Sequence, residues 1–489
     1  MKKKYIILSI ITLVLLITFV TSFNYFKTSN TYVENNSNNQ TKITKGISMN
    51  LEQTAGAGDY KQVTQSSWPT EGYKFNAELS KCENGGEISW DDTKKAVIVS
   101  GNLSDKCYVY FDIYQLTLAE YIKSQYTGTQ GDNALYYHNS TLTNGAGDNS
   151  YRYAGGDYVL TEAGKATGAT MMIGYNNSVT TALIDFYCNG TKQYVGYASS
   201  CSTSHYYLIK GDTTQYQTYN EALNASVEKG YLTKDNVKNF VCFGSDATTC
   251  PTENLYRIIG VFNNHVKLIK YDYAKSSLLG TDGDFSQEYT SNYFSGEQGE
   301  SPSSNSLYYW NNAGTNTWSA SKLNTVNLNT NFTTNIGTAW ANKIATTTWK
   351  VGGGTYANLR DAVPKTAYQY EVGSSASTTT YDAKIGLMYV SDYYYSASPS
   401  AWTLVGYNSD YTKSYASAKG ENWLYGGGWD WTISRISDTS NFAFYVYYNG
   451  GVYDRNVDDD RGVRPSFSLL SSTTYVSGSG SMSDPVRIN

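Results

Sequence analysis

Residues 255–270 read LYRIIGVF-NN-HVKLIK and give the strongest local indication of fold in the chain. Both outer runs are rich in aliphatic, β-branched and aromatic residues, which favour extended strands. The two residues between them, Asn263 and Asn264, are typical of a tight turn that joins neighbouring strands. The sequence therefore predicts a β-hairpin over residues 255–270.

Further apolar runs follow this hairpin toward the C-terminus. Residues 384–390 (KIGLMYV) predict a strongly buried strand, and residues 441–446 and 466–470 predict two more. Residues 318–329 predict a helix with Leu323 on its inner side. Because no fixed repeat period is found along the chain, a solenoid is not expected. The pattern predicts a mixed, β-rich α+β fold.

Five of these pieces keep an order that resembles a known domain family. The pieces are residues 256–269, the Trp/Ser/Leu/Asn pattern of Trp318, Ser321, Leu323 and Asn329, residues 385–391, the aromatic segment 422–435, and GVRPSF at 462–467. Together they resemble a family of domains of unknown function in surface proteins of low-GC Gram-positive bacteria, over residues 240–472. The layout is also similar to the C-type-lectin-like fold, including its formylglycine-generating-enzyme branch. The resemblance implies a C-type-lectin-like domain at 240–489.

Two departures from that fold family narrow the chemistry that the resemblance implies. The enzyme branch relies on cysteines late in the chain, and no cysteine follows Cys250 here. Calcium-dependent sugar binders of this fold use Glu-Pro-Asn or Gln-Pro-Asp loops, and neither tripeptide occurs. The resemblance therefore implies a binding fold that lacks the motifs for oxidase chemistry and for calcium-dependent sugar binding.

The N-terminus has the layout of a secretory signal. Three lysines precede an uncharged, largely apolar run from Tyr5 to Phe23, and this layout is typical of export signals. The run is close to the ~20 residues that a membrane-spanning helix needs. Lysines on the N-terminal side favour an orientation with the rest of the chain outside. Residues 1–26 therefore predict either an uncleaved signal anchor or a signal peptide cleaved after Ser22. In the first case the membrane is a binding partner of the chain.

Three segments are expected between this signal and the C-terminal domain. Residues 27–68 are rich in Asn, Thr, Ser and Gln and predict a polar linker. Residues 69–115 alternate strand-like runs with turn residues and predict a small, disulfide-linked, β-sandwich-like module. Residues 116–239 predict a mixed helical and irregular connecting region. Two capping boxes mark its helices, Thr117 with Glu120 and Thr218 with Glu221.

The six cysteines fall as three pairs of sequence neighbours. Six cysteines allow fifteen connectivities, so the spacing leaves the pairing open, and local loops are the simplest arrangement. An even count in an exported chain favours disulfides. Zinc is disfavoured because no pair has Cys-x-x-Cys spacing and the chain has only 3 histidines. The pairs are Cys82 and Cys107, Cys188 and Cys201, and Cys242 and Cys250.

The composition narrows the function classes. Charged residues make up 16% of the chain, the formal net charge is -5, and no basic stripe is present, which argues against nucleic-acid binding. The 48 tyrosines stand beside many Ser, Gly and Asn residues. These residue types are characteristic of binding surfaces. The alternative is that the tyrosines occupy exposed β-strands, where tyrosine is well tolerated.

An aromatic stretch near the C-terminus supplies the candidate ligand contacts. Three glycines at 426–428 allow close approach of the backbone to a ligand or another strand, and aromatic rings can pack against the faces of sugars. The hairpin around residues 447–453 is expected to be exposed, whereas Trp431 is expected in the core and Arg464 in a buried ion pair. The candidate ligand-binding residues are Tyr425, Trp429, Tyr447, Tyr448, Tyr453, Asp454 and Arg455.

No catalytic motif, metal site or cofactor site is evident in the sequence. No histidine follows His265, so a histidine-based triad cannot lie wholly within the C-terminal domain. The first functional hypothesis is a membrane-anchored or secreted bacterial surface protein that acts as a non-catalytic binding or adhesion module for glycan or protein ligands. The alternatives are a surface glycan hydrolase that uses carboxylates such as Asp392, Asp430 and Asp454, and a structural spacer or pilus-associated component.

Overall fold

The structure is a computed structural model that divides the chain into two compact units, Met1–Gln115 (unit 1) and Leu116–Asn489 (unit 2). The residues it describes are 35–36, 40–41, 46–54, 56–64, 67–69, 72–101, 105–169, 182–193, 201, 204–234, 236–290 and 304–489. The signal predicted at residues 1–26 lies outside these residues. In the part of the chain described, no helix combines the length and the apolar character needed to cross a membrane.

Unit 1 is built from short β-strands. In chain order, β1 to β8 are Asn35–Asn36, Gln40–Thr41, Ile47–Glu52, Tyr60–Val63, Tyr73–Cys82, Glu87–Asp91, Ala96–Ser100 and Cys107–Ile113. Four of them form a sheet in the order β4-β3-β8-β5, in which β3 and β8 run parallel and the other neighbours antiparallel. The pairs β1–β2 and β6–β7 form separate two-stranded ribbons.

The structure differs from the polar linker expected at residues 27–68. Strands β3 and β4 lie inside that range, and Met49, Leu51 and Trp68 are buried in the core of unit 1. Ile47, Met49 and Leu51 alternate with polar residues, and this period of two places their side chains on one face of the sheet. Because the surrounding segment is polar in composition, its composition alone did not indicate this short amphipathic strand.

Unit 2 contains the remaining strands and the helices. In chain order, β9 to β30 are Leu135–Tyr137, Tyr151–Tyr153, Val159–Leu160, Ile184–Cys188, Thr191–Gln193, His205–Ile209, Leu232–Thr233, Phe240–Cys242, Leu255–Phe262, His265–Lys270, Phe285–Thr290, Ser304–Tyr309, Thr347–Lys350, Thr380–Ala383, Ile385–Gly386, Asp430–Arg435, Phe442–Val446, Val452–Asn456, Asp460–Arg461, Ser466–Ser468, Tyr475–Ser477 and Arg487–Ile488. Helices α1 to α9 are Leu118–Ser124, Glu162–Ala166, Tyr219–Glu228, Ser276–Leu279, Leu323–Phe332 (wound as a π-helix), Thr333–Asn335, Thr338–Ala341, Pro364–Glu371 and Val390–Tyr395. Single 3₁₀ turns occur at Asp132–Ala134, Thr252–Asn254, Trp318–Ala320, Pro399–Thr403, Tyr411–Lys413, Tyr415–Ser417 and Lys419–Glu421.

The hairpin β17–β18 lies at the centre of a seven-stranded sheet, which confirms the hairpin predicted at residues 255–270. Its turn residues, Asn263 and Asn264, have φ values of 48° and 66°, a left-handed conformation that asparagine tolerates better than most residues. The sheet order is β23-β28-β18-β17-β10-β9, and β16 also pairs with β17. Neighbouring strands in this sheet are antiparallel.

Residues 116–153 are part of the same core as the C-terminal sheet, which differs from the boundary expected at residue 240. Strands β9 and β10 extend the sheet beyond β17, and Leu118 and Ile122 of α1 are fully buried in the main hydrophobic cluster. Strands of three residues are too short to show a periodic pattern, so the sequence did not reveal them. The two capping boxes predicted at Thr117 and Thr218 are confirmed.

Two elements of the C-terminal half differ from their predicted form. The run predicted as one strand at 384–390 contains a two-residue strand, β23, and its last residue, Val390, begins helix α9. The helix predicted at 318–329 is divided into a 3₁₀ turn and helix α5, which extends to Phe332. Leu323 is fully buried, as expected. Buried apolar residues identified these segments as core, but they did not distinguish strand from helix.

The three disulfides join the sequence-adjacent cysteines, Cys82–Cys107, Cys188–Cys201 and Cys242–Cys250. Disulfides form and persist in oxidising compartments, so they indicate an extracellular environment for the chain. Taken together, the two units form a β-rich protein made of many small sheets.

Candidate functional site

The predicted aromatic residues gather around the three-stranded sheet β24-β25-β26. The turn between β25 and β26 is closed by the side chain of Asn449. Its Oδ1 accepts a hydrogen bond from the Gly451 amide at 2.8 Å, and its Nδ2 donates to the Tyr453 hydroxyl at 3.0 Å. Because Asn449 is fully buried, this turn is fixed by the body of the domain.

Five tyrosines around this turn form what we call the tyrosine cluster: Tyr407, Tyr445, Tyr447, Tyr448 and Tyr453. The Tyr447 ring centroid is 4.1 Å from that of Tyr448 and 4.8 Å from that of Tyr453. Tyr407 lies 5.0 Å from Tyr453, and Tyr445 lies 5.9 Å from Tyr447. Four of the five are half-buried, while Tyr445 is buried. The exposure expected for the 447–453 hairpin is therefore only partial, because the rings shield one another.

Tyr425 and Trp429 border the tyrosine cluster. Tyr425 is buried, and its hydroxyl donates a hydrogen bond to the backbone carbonyl of Tyr448. This bond helps to hold the hairpin in place. Trp429 is half-buried and lies under the guanidinium of Arg461 at 5.3 Å. Arg461 also lies 5.0 Å from the ring of Tyr445. Cation–π contacts of this kind fix the positions of the rings that they join.

The two charged candidates have different surroundings. Asp454 accepts hydrogen bonds from the Tyr356 hydroxyl at 2.8 Å and from Arg360 Nη1 at 2.9 Å. Its carboxylate therefore holds a neighbouring loop in place. Arg455 is exposed and lies 3.7 Å from the carboxylate of Asp459. An ion pair this exposed is weak, so the guanidinium can exchange Asp459 for a ligand.

The expectations for Trp431 and Arg464 are confirmed. Trp431 is fully buried and donates to the Tyr308 carbonyl at 3.0 Å. Arg464 is buried, binds Asp430 Oδ2 at 2.5 Å and donates to the Leu424 carbonyl at 2.7 Å. Burial raises the pKa of Asp430 to about 6, although the positive charge of Arg464 opposes the shift. This pair joins β24 to the final segment of the chain.

One group in the described residues brings together side chains of metal-binding type, namely Cys82, Asp105 and Cys107. The two cysteines are bonded to each other. Asp105 accepts hydrogen bonds from the amides of Asn84 at 2.9 Å and Gly86 at 3.1 Å. These atoms are already engaged, and the geometry is that of a disulfide beside a turn that a carboxylate stabilises.

A second candidate site was missed by the sequence reasoning. It is a cavity of about 310 Å³ in unit 2, here called the ion-pair cavity. Its charged lining residues are Asp148, Arg152, Lys267, Lys350 and Asp392, and its aromatic lining residues are Phe262, Trp349, Tyr368 and Tyr389. Asp392 is 125 residues from Lys267 in sequence. No local spacing pattern could have connected residues so far apart in the chain.

Two ion pairs lie among the residues that line the ion-pair cavity. Lys267 Nζ lies 2.5 Å from Asp392 Oδ2, and Arg152 Nη2 lies 2.5 Å from Asp148 Oδ2. Lys267, Arg152 and Asp392 are 7%, 2% and 3% exposed. Burial favours a higher pKa for Asp148, but Arg152 and hydrogen bonds from Ser150 outweigh it and lower that pKa to about 2. The carboxyl group of Asp148 therefore carries its negative charge at neutral pH, beside the guanidinium of Arg152.

Aromatic rings hold the two cations in place. Lys267 Nζ lies 4.5 Å from the centroid of the Tyr389 ring and 5.3 Å from that of Trp349. The Arg152 guanidinium lies 5.2 Å from the Tyr368 ring. The Tyr389 hydroxyl accepts a hydrogen bond from the Lys350 amide at 2.8 Å. The lining of the cavity is thus pre-organised by contacts within the protein.

Comparison of the chain with known protein families, with curated proteins and with solved structures finds no significant match.

Proposed function

We propose that this protein is a bacterial surface protein with a non-catalytic binding function, and that the tyrosine cluster contacts a glycan. The observation that carries the proposal is the packing of half-buried tyrosine rings on a turn fixed by buried Asn449, beside exposed Arg455. Tyrosine offers rigid, amphipathic contact area with a polar hydroxyl at its edge. Such an array suits the alternating apolar and hydroxylated faces of sugars.

Export and attachment belong to the same proposal. Residues 1–26 act as a signal anchor, or as a signal peptide if cleaved after Ser22, and place the chain on the outer side of the membrane. The three disulfides fit this location. The C-type-lectin-like organisation proposed for the C-terminal part of unit 2 rests on the ordered sequence pieces, and it would give the tyrosine cluster a ligand-binding context.

Binding is favoured over glycan hydrolysis by the state of the acidic residues. Hydrolysis needs two carboxyl groups on either side of the scissile bond. Asp430 is buried against Arg464, and Asp454 is engaged by Tyr356 and Arg360. The third candidate, Asp392, is paired with Lys267 at 2.5 Å. All three carboxylates considered for hydrolysis therefore have partners within the protein, whereas the tyrosine rings keep part of their surface open.

A glycan array tests this proposal. The full-length chain in detergent, labelled on surface lysines, is applied to immobilised bacterial and host glycans, and hits are measured by titration. We expect Tyr448→Ala and Tyr447→Ala each to weaken binding up to about tenfold, because one aromatic contact contributes about 0.5–1.5 kcal/mol.

The matched control is Tyr370→Ala, which removes an exposed tyrosine from helix α8. Equal losses in the control and in the cluster variants would contradict a role for the cluster. Binding to proteins but to no glycan would favour adhesion to a protein ligand instead.

A further inference from the structure

The ion-pair cavity retains hydrogen-bonding capacity that the protein itself does not use. Asp392 Oδ2 accepts from Lys267 and from the Tyr389 amide at 2.8 Å, while Asp392 Oδ1 has no donor among the described residues. Lys267 Nζ has one acceptor of the three it could serve. The Tyr389 hydroxyl accepts from Lys350 but has no acceptor of its own in the described part of the chain. Two donors, Lys267 and the Tyr389 hydroxyl, and one acceptor, Asp392 Oδ1, therefore belong to residues that line the same cavity.

The hydroxyl of Tyr389 is protonated at physiological pH and can donate a hydrogen bond. Its ordinary pKa of about 10 already lies above that range, and burial raises this pKa further. Burial also raises the pKa of Tyr368, whose hydroxyl faces the carboxylate of Asp148. A ligand hydroxyl in the cavity can accept from a tyrosine and at the same time donate to Asp392.

Two of the three cations in the lining are already paired, which favours a neutral ligand. Arg152 and Lys267 are each compensated at 2.5 Å by a carboxylate, and Lys350 has no ion pair among the described residues. A ligand anion that paired with Arg152 or Lys267 would have to displace Asp148 or Asp392 and leave that carboxylate unpaired, and a buried unpaired charge is costly. A neutral ligand with hydroxyl groups can donate to Asp392 Oδ1 and accept from Lys267 and from the Tyr389 hydroxyl, and both ion pairs stay intact.

The ion pairs are more easily explained by binding than by stability. Replacing a buried ion pair with apolar residues of similar size is often neutral or stabilising. Charged groups that line a cleft are therefore candidates for function. The volume of about 310 Å³ lies at the lower end of the roughly 300–1,000 Å³ range of small-molecule sites. A single ring fits such a space better than an extended chain does.

We propose that the ion-pair cavity binds one neutral, polyhydroxylated ring, which is the chemistry of a free monosaccharide or of the terminal residue of a glycan. Lys267 and Asp392 form hydrogen bonds to neighbouring ring hydroxyls, and the hydroxyl of Tyr389 donates to a third oxygen. This site is separate from the tyrosine cluster, since none of the five cluster residues lines the cavity.

Saturation-transfer NMR followed by calorimetry on the full-length chain in detergent tests the proposal. The probes are glucose, galactose and N-acetylglucosamine, each free and as the non-reducing end of a disaccharide, with alanine as a zwitterionic comparison. Binding of a sugar supports the proposal, and the tighter of the two forms identifies the source. Binding of alanine alone, or no sugar binding tighter than about 10 mM, overturns it.

Two variants assign the binding to this cavity. Asp392→Asn keeps the shape of the side chain but removes the charged acceptor, and we expect it to weaken sugar binding about tenfold. Ser468→Phe fills the space beside Lys267, its register partner, and should abolish binding with little change in melting temperature. Ser472→Phe, at an exposed serine outside the cavity, is the matched control. Undiminished binding in Ser468→Phe would exclude the cavity, whatever the glycan array shows for the tyrosine cluster.

Discussion

Removing the Cys82–Cys107 disulfide should unfold unit 1 while unit 2 stays folded. The bridge closes a loop with a sequence separation of 25. In the chain-entropy relation, a loop of this length stabilises the folded state by about 3.5 kcal/mol at 25 °C. The strands that form the core of unit 1 lie between Ile47 and Ile113, and the core of a domain below roughly 70–80 residues rarely supplies more than about 3–5 kcal/mol. Loss of the bridge therefore removes most of the stability expected for unit 1.

Hydrogen exchange measured by mass spectrometry can follow the two units separately. In Cys82→Ala/Cys107→Ala, peptides from β5 and β8 should exchange close to the unfolded rate, while peptides from β17 and β18 keep their protection. The matched control, Cys242→Ala/Cys250→Ala, opens a loop with a separation of 8 in unit 2 and should leave unit 1 protected. Unchanged protection of β5 and β8 in the first variant would refute the loop-entropy reasoning.

Three further predictions concern charges and capping in unit 2. Arg464→Met leaves Asp430 buried without its partner, so the free energy of unfolding measured by chemical denaturation should fall by about 3–5 kcal/mol. A decrease below about 1 kcal/mol would contradict a stabilising role for the pair. The low pKa of Asp148 stabilises the fold above about pH 4, and this contribution, about 2 kcal/mol, is lost as the pH falls toward 2. Urea midpoints of the wild type should therefore fall more steeply over this window than those of Asp148→Asn, and parallel curves would contradict the assignment. Thr218→Ala removes the N-cap of helix α3 and should cost about 1 kcal/mol; faster exchange confined to α3 would show it, whereas an unchanged rate would mean that the cap is dispensable.

The high tyrosine content has a use that the composition did not suggest. Tyr393, Tyr394 and Tyr415 are fully buried, and their hydroxyls donate to backbone carbonyls at 2.7–2.9 Å. Burial of a tyrosine is favourable when its hydroxyl finds a partner. Many loops in unit 2 offer such carbonyls. Tyrosine therefore serves as a core residue here as well as a surface residue, and its abundance alone does not measure the size of a binding surface.

Features that depend on neighbouring residues were predictable from the sequence. The Asn263-Asn264 turn, the capping boxes and the pairing of adjacent cysteines each involve short chain separations, and all appear in the structure as expected. The contacts among Tyr445, Tyr447, Tyr448 and Tyr453 also follow from their closeness in sequence. Its partial burial was not predictable, because Tyr407 covers the hairpin from a distant loop.

The β-rich character of the chain, its central hairpin and its local disulfides follow from short-range interactions, because turn preference, side-chain period and short loop closure are properties of neighbouring residues. The entry of β9 and β10 into the main sheet and the formation of the ion-pair cavity depend on contacts between distant parts of the chain. Lys267 and Asp392 meet because sheet and helix pack against each other. The charge of each residue can be read from the sequence. The burial that makes an ion pair costly to break, however, exists only after folding.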